Sequence, residues 1–330
     1  MKTPYRVAVI GATGFIGSHL TARLAASGAT VLAIARSRAR LENLSGVWGA
    51  CEFAECDIGD AARLRWLLEK FGPAVVYHLA SHPDAKESFD QIRKCLAADL
   101  AGLTHVLEAA SSCGTKLFVY GDSSKVHGNA ACPHREGAPT EPESSYAIAK
   151  LAGWQLTKLV SAMTGMQVVS LRPEFTYGPR QAYNLIVYVQ QCVLAERPIL
   201  LQGGSQTRDP LYVEDLVDAF VAVPEHPESF GHAISLGGGQ EITVTELCRE
   251  ILAAMGRHAV IEAASEPPRL TEIWRSYADN SDALDWLGWR PKTSLREGLR
   301  KTLGEFAGRP APLPADSGKP APLIGAGKSC

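Results

Sequence analysis

Arg6-Val-Ala-Val-Ile10, running straight into Gly11-Ala-Thr-Gly14-Phe-Ile-Gly17, is the stretch that decides the fold. An apolar, β-branched run reads as a buried strand, and the glycines after it open a helical pattern over residues 14–27. Strand, glycine turn and helix N-terminus together supply what a pyrophosphate needs. Gly11 permits the tight turn, Gly14 lets backbone approach the phosphates, and Gly17 lets the helix pack on the strand. The spacing is one residue longer than G-x-G-x-x-G. A plain flexible turn is the competing reading, and the strand ahead of it argues against that.

The same rhythm continues outward. Strand-like runs at 6–10, 30–35, 74–79, 116–120 and 167–171 alternate with helical stretches at 14–27, 61–71, within 88–112, and 145–164. Apolar strands in strict alternation with helices predict parallel βαβ units, hence an α/β, doubly wound parallel sheet of Rossmann type. Past Leu171 the rhythm breaks. Residues 172–181 read as loop, followed by helices near 185–195, from Val213, at 243–255, 281–287 and 294–306, and a strand near 232–236. The expected organisation is a dinucleotide-binding domain over 1–172 and a smaller mixed C-terminal substrate lobe over 173–307, some segments of which could return to the Rossmann sheet. A Pro-, Ala- and Gly-rich tail, expected to be disordered, fills 308–330.

Bulk composition narrows the partners. At 330 residues the chain exceeds the usual size of one core, which fits two lobes. A formal net charge of -2, with 46% hydrophobic and 21% charged residues, gives no reason to expect nucleic acid or an anionic membrane surface as partner. No apolar run approaches a membrane span, and Met1-Lys-Thr-Pro4 leads into the first strand without a separate apolar leader. Eight cysteines are scattered singly, so reduced thiols in a cytoplasmic setting are expected, with no disulfide framework and no metal site.

Tyr146 and Lys150 stand four apart in a helical stretch, which puts phenol and ammonium on one face. A neighbouring cation favours phenolate, and is expected to lower the phenol's pKa toward the range of a general acid or base. The choice of dinucleotide falls at the end of the second strand. An NAD site usually carries a carboxylate there for the ribose hydroxyls. This chain has Ala35 at that place, followed by Arg36, Ser37 and Arg38, and a guanidinium pairs well with a 2′-phosphate. NADP is therefore the favoured cofactor, with NAD as the alternative. Asp57, in Cys56-Asp-Ile58, suits a place beside the adenine amino group or a helix cap.

With these motifs in hand, the chain resembles the extended short-chain dehydrogenase/reductases, the NAD(P)-dependent epimerase/dehydratase family acting on nucleotide sugars. The likeness runs from about Val7 to Phe306. It rests on the glycine turn, Asp57-Ile58, Tyr77-His-Leu-Ala80, Val119-Tyr-Gly-Asp-Ser-Ser124 with Val126 and Gly128, and Tyr146-x3-Lys150. Leu171-Arg-Pro173 with Tyr177-Gly-Pro-Arg-Gln181, Arg208-Asp209, and Tyr277-Ala-Asp279 with Leu287-Gly-Trp-Arg-Pro291 complete it.

The resemblance implies a catalytic set of Ser123, Tyr146 and Lys150, with Ser124 competing for the hydroxyl's place. Ser123 would hydrogen-bond the reacting sugar oxygen and Tyr146 would take or return its proton. Lys150 would bind the nicotinamide ribose. It further implies cofactor contacts from Thr13, Phe15, Ile16, Ile58, Leu79, Ala80, Ser81, Asp99 and Pro173. Substrate contacts would come from Ser124, Lys125, Phe175, Arg208 and Arg269, the two arginines meeting a diphosphate.

Departures from the family pattern are Asp99 in place of an asparagine, His127 in place of a tyrosine, and Phe175 in place of an asparagine that normally touches substrate. Family 4,6-dehydratases carry carboxylates where this chain has Ser124 and Lys125, which disfavours dehydration. The readings left are an epimerase working through a keto intermediate and an NADPH-dependent ketoreductase. A non-catalytic NADP-binding regulator is opposed by the intact Ser, Tyr and Lys. A homodimer is implied.

Overall fold

The computed structural model describes residues 5–82 and 87–306; the expected tail over 308–330 and the first four residues lie outside the described residues. β1 (Arg6–Ile10), β2 (Thr30–Ala35), β3 (Cys51–Glu55), β4 (Val75–His78), β5 (Leu117–Gly121) and β6 (Gln167–Pro173) are joined in register, all parallel. Between them run α1 (Phe15–Ala26), α2 (Ala61–Phe71), α3 (Phe89–Cys95), α4 (Leu103–Ser112) and α5 (Ser145–Thr164).

The helix ends follow local chemistry. Asp60 caps α2 by accepting from the Arg63 amide at 3.0 Å, and Gly72 ends the helix at φ 61°. Ser144 caps α5, which stops at Gly165.

Strand side chains alternate between two cores, so both faces are dry. Val7, Val9, Val31, Ala33, Tyr77, Val119 and Leu171 face one way. Ala8, Ile10, Leu32, Ile34, Val76, Phe118 and Val168 face the other, against α2, α4 and α5. This is why the strands read as continuous apolar runs.

The C-terminal half holds β7 (Thr176–Tyr177), α6 (Leu185–Leu194), β8 (Ile199–Leu201), β9 (Thr207–Arg208), β10 (Leu211–Tyr212), α7 (Val213–Ala222), β11 (Ala233–Leu236), β12 (Ile242–Thr243), α8 (Val244–Met255), β13 (Ile261–Ala263), α9 (Ser281–Leu287) and α10 (Leu295–Phe306). Short pairs β7–β10, β8–β13 and β9–β12 stiffen it. A separate core of Ile186, Val189, Tyr212, Leu247, Ile251 and Leu299 holds its helices.

Two of these segments join the main layer. β11 pairs parallel with β6, giving the sheet order β11-β6-β5-β4-β1-β2-β3. Helix α7 buries Leu216, Val217 and Phe220 in the same core as α1, tied by an Arg23–Asp218 ion pair. Among the described residues no helix is long and apolar enough to cross a membrane.

The helical stretch within 88–112 departs from simple periodicity. A π-helical segment, Leu96–Gly102, separates α3 from α4 and places Asp99 on its inner side, 1% exposed. Such wide turns interrupt helices mostly at functional sites.

Candidate functional site

The glycine turn is pinned from two sides. The amides of Gly11 and Ala12 donate to the Ile34 carbonyl at 2.9 and 3.0 Å, tying the turn to the end of β2. Gly11 has φ 90°, and a Cβ there would lie 2.7 Å from the Ala80 amide nitrogen. Gly14 is the N-cap of α1, with no side-chain cap and no acidic residue in the first turn. The helix's free amides and positive dipole end are thus left for an anion, and the turn leaves no room for side chains. The cradle fits a dinucleotide pyrophosphate. Around it, the Thr13 carbonyl accepts from Asn43 Nδ2 at 2.9 Å, and Phe15 and Ile16 reach into the C-terminal core.

At the adenosine end the structure keeps what the sequence suggested in part. Ala35 is buried, while Arg36, Ser37 and Arg38 are exposed. Arg38 Nε lies 3.4 Å from Glu55 Oε2, so its charge is partly answered; no ion pair of Arg36 exists among the described residues. Asp57 Oδ1 accepts from the Gly59 amide at 2.8 Å, so Asp57 shapes the loop while Asp60 caps the helix. The Ile58 carbonyl meets His105 Nδ1 at 2.9 Å. Leu79, Ala80 and Ser81 follow β4 beside the glycine turn, and Pro173 ends β6.

Ser123, Tyr146 and Lys150 come together at the carboxyl edge of this sheet. The hydroxyls of Ser123 and Ser81 both act on the Tyr146 phenol, Ser123 the more strongly. Lys150 is buried, donates from Nζ to the Gly121 carbonyl at 2.7 Å, and sits 3.6 Å from Asp99 Oδ1. Its Nζ is 5.8 Å from the centre of the Tyr146 ring.

One expectation is reversed. The Lys150 cation was expected to lower the phenol's pKa, yet Tyr146 is raised above its ordinary value, first by burial and second by the Asp99 carboxylate. Lys150 comes with an anion attached, so its field at the phenol is largely cancelled.

Ser123 is held from behind by a residue that sequence reading passed over. Asp122 Oδ1 accepts from the Ser123 amide at 2.9 Å, and Oδ2 accepts from Ser170 Oγ at 2.9 Å and Arg172 Nε at 2.8 Å. The signal was present in the quoted motifs, since Asp122 and Arg172 each sit in one. Their pairing is across strands, which a motif does not show. Ser124 is buried.

Lys125 Nζ lies 5.7 Å from the Tyr146 ring centre, in a cleft of about 110 Å³ that Ser124, Glu174, Phe175, Arg208 and Arg269 also line. Lys125 is exposed at the cleft; partial desolvation by the cleft walls, then Arg269 and Arg208, lowers it to about 8.

The two arginines converge as expected, but on a carboxylate no motif announced. Arg208 donates to Glu272 Oε1 at 2.6 Å, and Arg269 Nε to Glu272 Oε2 at 3.1 Å. One carboxylate is shared between the two guanidiniums, and Glu87, Glu143 and Glu174 line the same cleft, so cations and carboxylates face each other across it. Beneath it Glu174 is buried, bonded to His134 Nδ1 at 2.8 Å and to Ser276 Oγ at 2.5 Å. His127 stacks on His134 with ring centres 4.4 Å apart, and burial first of all lowers it to about 4, so it packs as a neutral ring.

A dinucleotide cradle thus stands next to a phenol, a hydroxyl and an ammonium, beside a cleft lined by Lys125, Arg208 and Arg269 together with glutamates. Comparison with known proteins agrees. The family described as "NAD dependent epimerase/dehydratase family" matches residues 7–237. A UDP-glucose 4-epimerase of Mycolicibacterium smegmatis is 36% identical over 311 residues, covering 91% of this chain and 98% of that protein. Among solved structures, a Thermotoga maritima UDP-glucose 4-epimerase with UDP-glucose superposes with a TM-score of 0.84 at 26% identity, covering 92% of this chain and 98% of that one. A Bacillus cereus UDP-glucuronic acid 4-epimerase in complex with UDP-glucuronic acid and NAD gives 0.85 at 26% identity, with 92% and 99% covered. Matched over most of its length by family and relatives alike, this chain belongs to the NAD-dependent epimerase/dehydratase family.

Proposed function

We propose that this protein inverts a hydroxyl-bearing carbon of a nucleotide-activated sugar through a keto intermediate, with Tyr146 as the acid/base. The observation that carries the reading is the placement of Tyr146 among Ser123, Ser81 and Lys150, with Ser81 the residue after Ala80, whose backbone the glycine turn packs against. When bound, the nicotinamide supplies the acceptor and then the donor of the hydride. The chain's own part is to hold and move one proton. Ser123, fixed by Asp122, holds the sugar oxygen; Tyr146 takes its proton on oxidation and returns it on reduction. Lys150 and the α1 N-terminus hold the cofactor, while Arg208, Arg269 and Lys125 take the substrate diphosphate. The named relatives act on UDP-sugars, which supports this substrate class.

The test is incubation with UDP-, dTDP- and GDP-sugars, with and without NADPH. Interconversion of isomers without net cofactor loss is the expected result. Stoichiometric loss of reduced-nicotinamide absorbance on a keto-sugar would replace it with the second reading, a ketoreductase, which Ala35 and Arg36 favour.

NADP is the cofactor we favour, supported by Ala35 in place of a carboxylate and by Arg36, which has no ion pair among the described residues. The family description and the NAD in the Bacillus cereus complex weigh toward NAD. Arg36→Ala is expected to weaken NADP binding about tenfold, the worth of one charge-assisted bond, and to leave NAD unchanged. Titration of each dinucleotide by fluorescence reads both. Equal affinities in the unchanged protein would count against the 2′-phosphate reading.

A dimer is supported by exposed apolar side chains on neighbouring helices: Phe89, Ile92 and Leu96 on one, Ile148, Leu159 and Met163 on α5. Light scattering in solution tests it. The described cysteines are free thiols, which suits a reducing compartment such as the cytoplasm.

A further inference from the structure

Asp99 is a buried carboxylate for which the proposed proton transfer has no use. Its side chain is 1% exposed, and its contacts are specific. Ser81 Oγ donates to Oδ1, the His82 amide donates to Oδ2 at 3.1 Å, and Lys150 Nζ stands 3.6 Å from Oδ1. Burying an anion this completely is costly unless it is paired and hydrogen-bonded, and here both conditions are met. The partners it engages are the ammonium and one of the two hydroxyls that surround the Tyr146 phenol. The π-helical segment Leu96–Gly102 is what turns Asp99 inward to reach them.

We propose that Asp99 is a positioning residue that fixes Lys150 and Ser81 against Tyr146 and, through its own charge, keeps the phenol protonated until a positive charge arrives in the site. This rests on the reading of Tyr146 as the acid/base.

The argument is electrostatic and geometric together. Ser81 has one hydroxyl proton, and Asp99 takes it. The Ser81 and Ser123 hydroxyls both lower the phenol's pKa, so what opposes phenolate from this side is the carboxylate itself. The carboxylate faces the phenol through the field, and it is the second-largest cause of the raised Tyr146 pKa after burial. An oxidised nicotinamide is cationic; its field has the opposite sign and would favour phenolate when oxidation is about to begin. Asp99 thus makes ionisation of Tyr146 conditional on the loaded site.

The other charges facing this group are Lys150 on α5, Lys125 and Asp122 after β5, Tyr120 on β5, His78 on β4 and Cys95 on α3. His78 is lowered to about 3, by burial and then by Lys150, so it stays neutral. Cys95 and Tyr120 are raised, chiefly by burial, and stay neutral too. Lys125 and Asp122 keep their own surroundings when Asp99 is altered. The change at Tyr146 is then attributable to Asp99.

The test is the pH profile of kcat in the holoenzyme for Asp99→Asn and Asp99→Glu. The amide keeps the shape and removes the charge. Losing a neighbouring anion lowers the Tyr146 pKa, so phenolate forms at lower pH and the acid limb moves down by about one pH unit. Asp99→Glu keeps the charge, so its limb is expected within a few tenths of the unaltered position. A purely structural role would lower kcat at every pH and leave both limbs in place.

An unmoved limb in Asp99→Asn, with Tyr146→Phe inactive, overturns the proposal and spares the acid/base assignment. Full activity in Tyr146→Phe overturns both. Where the amide fails to fold, Asp99→Ala carries the same expectation for the limb, since Lys150 keeps its bond to Gly121.

Discussion

Tyr146→Phe is expected to retain dinucleotide and nucleotide-sugar binding and to lose between about 10²- and 10⁴-fold in kcat, the span that a positioned general acid or base contributes. The substitution deletes one oxygen. The ring remains wedged between Lys125 and Lys150, whose ammonium nitrogens lie 5.7 and 5.8 Å from its centre, and α5 keeps its Ser144 cap and its buried face of Ala147, Ala149 and Trp154. No fold-level reason exists for the activity to fall.

The remaining groups cannot take over the proton. Ser123 and Ser81 are alcohols, far too weak as bases. Lys150 is committed to Gly121 and Asp99. Lys125 is the nearest basic alternative, lowered to about 8, and it is the group to watch if residual activity rises with pH. Initial rates with isomer detection, set beside cofactor and substrate titrations, separate the two contributions. A drop in kcat with binding intact places the loss in the chemical step. A Phe variant as fast as the original protein would remove the catalyst from the proposed mechanism.

How far this could be read beforehand depended on whether an interaction is local in sequence. β1, β2, α2, α5 and α9 were legible to the residue because strand alternation, caps and glycine stops are neighbourhood effects. The glycine turn and the Tyr146/Lys150 pair were legible for the same reason. The strand near 232–236 was legible as a strand, but its partner was not. Only pairing with β6, more than sixty residues earlier, makes Ala233–Leu236 the sheet's outer edge.

The electrostatics failed in the same way. Spacing on one helix put a cation beside the phenol. What cancels it is Asp99, forty-seven residues from Tyr146, turned inward by a π-helical segment that apolar periodicity does not signal. Glu272 between Arg208 and Arg269, and Glu174 beneath the cleft, were likewise unreadable, since an isolated glutamate in a loop or at a strand end is ordinarily solvated.

Gly17→Ala should be strongly damaging to both the fold and the glycine turn. Two effects of opposite sign compete. Replacing glycine by alanine inside a helix ordinarily gains up to about 1 kcal/mol in propensity. At position 17 the added Cβ would stand 2.2 Å from the Gly11 carbonyl oxygen, 2.9 Å from its carbon and 3.2 Å from the Ala12 Cα. All three are backbone, so no rotamer change relieves the clash.

Nor can the turn retreat. Gly11 is bonded to the Ile34 carbonyl and already abuts the backbone of Leu79 and Ala80. α1 is held on its far side by α7 through Arg23 and Asp218. Strain must therefore be absorbed by lifting the start of α1 off β1, and that is the cradle itself. Overpacking of this kind costs about 1–3 kcal/mol, and rigid backbone on every side puts it at the upper end. Net destabilisation of about 2 kcal/mol is expected, read as a fall in thermal midpoint, with dinucleotide affinity weakened at least about tenfold because the amides at the helix start no longer converge.

Gly46→Ala is the matched control, since nothing lies within 4 Å of a Cβ there and its backbone is not left-handed; its change should stay within about 0.5 kcal/mol. If Gly17→Ala binds dinucleotide as tightly as the control does, the glycine turn is not the pyrophosphate cradle.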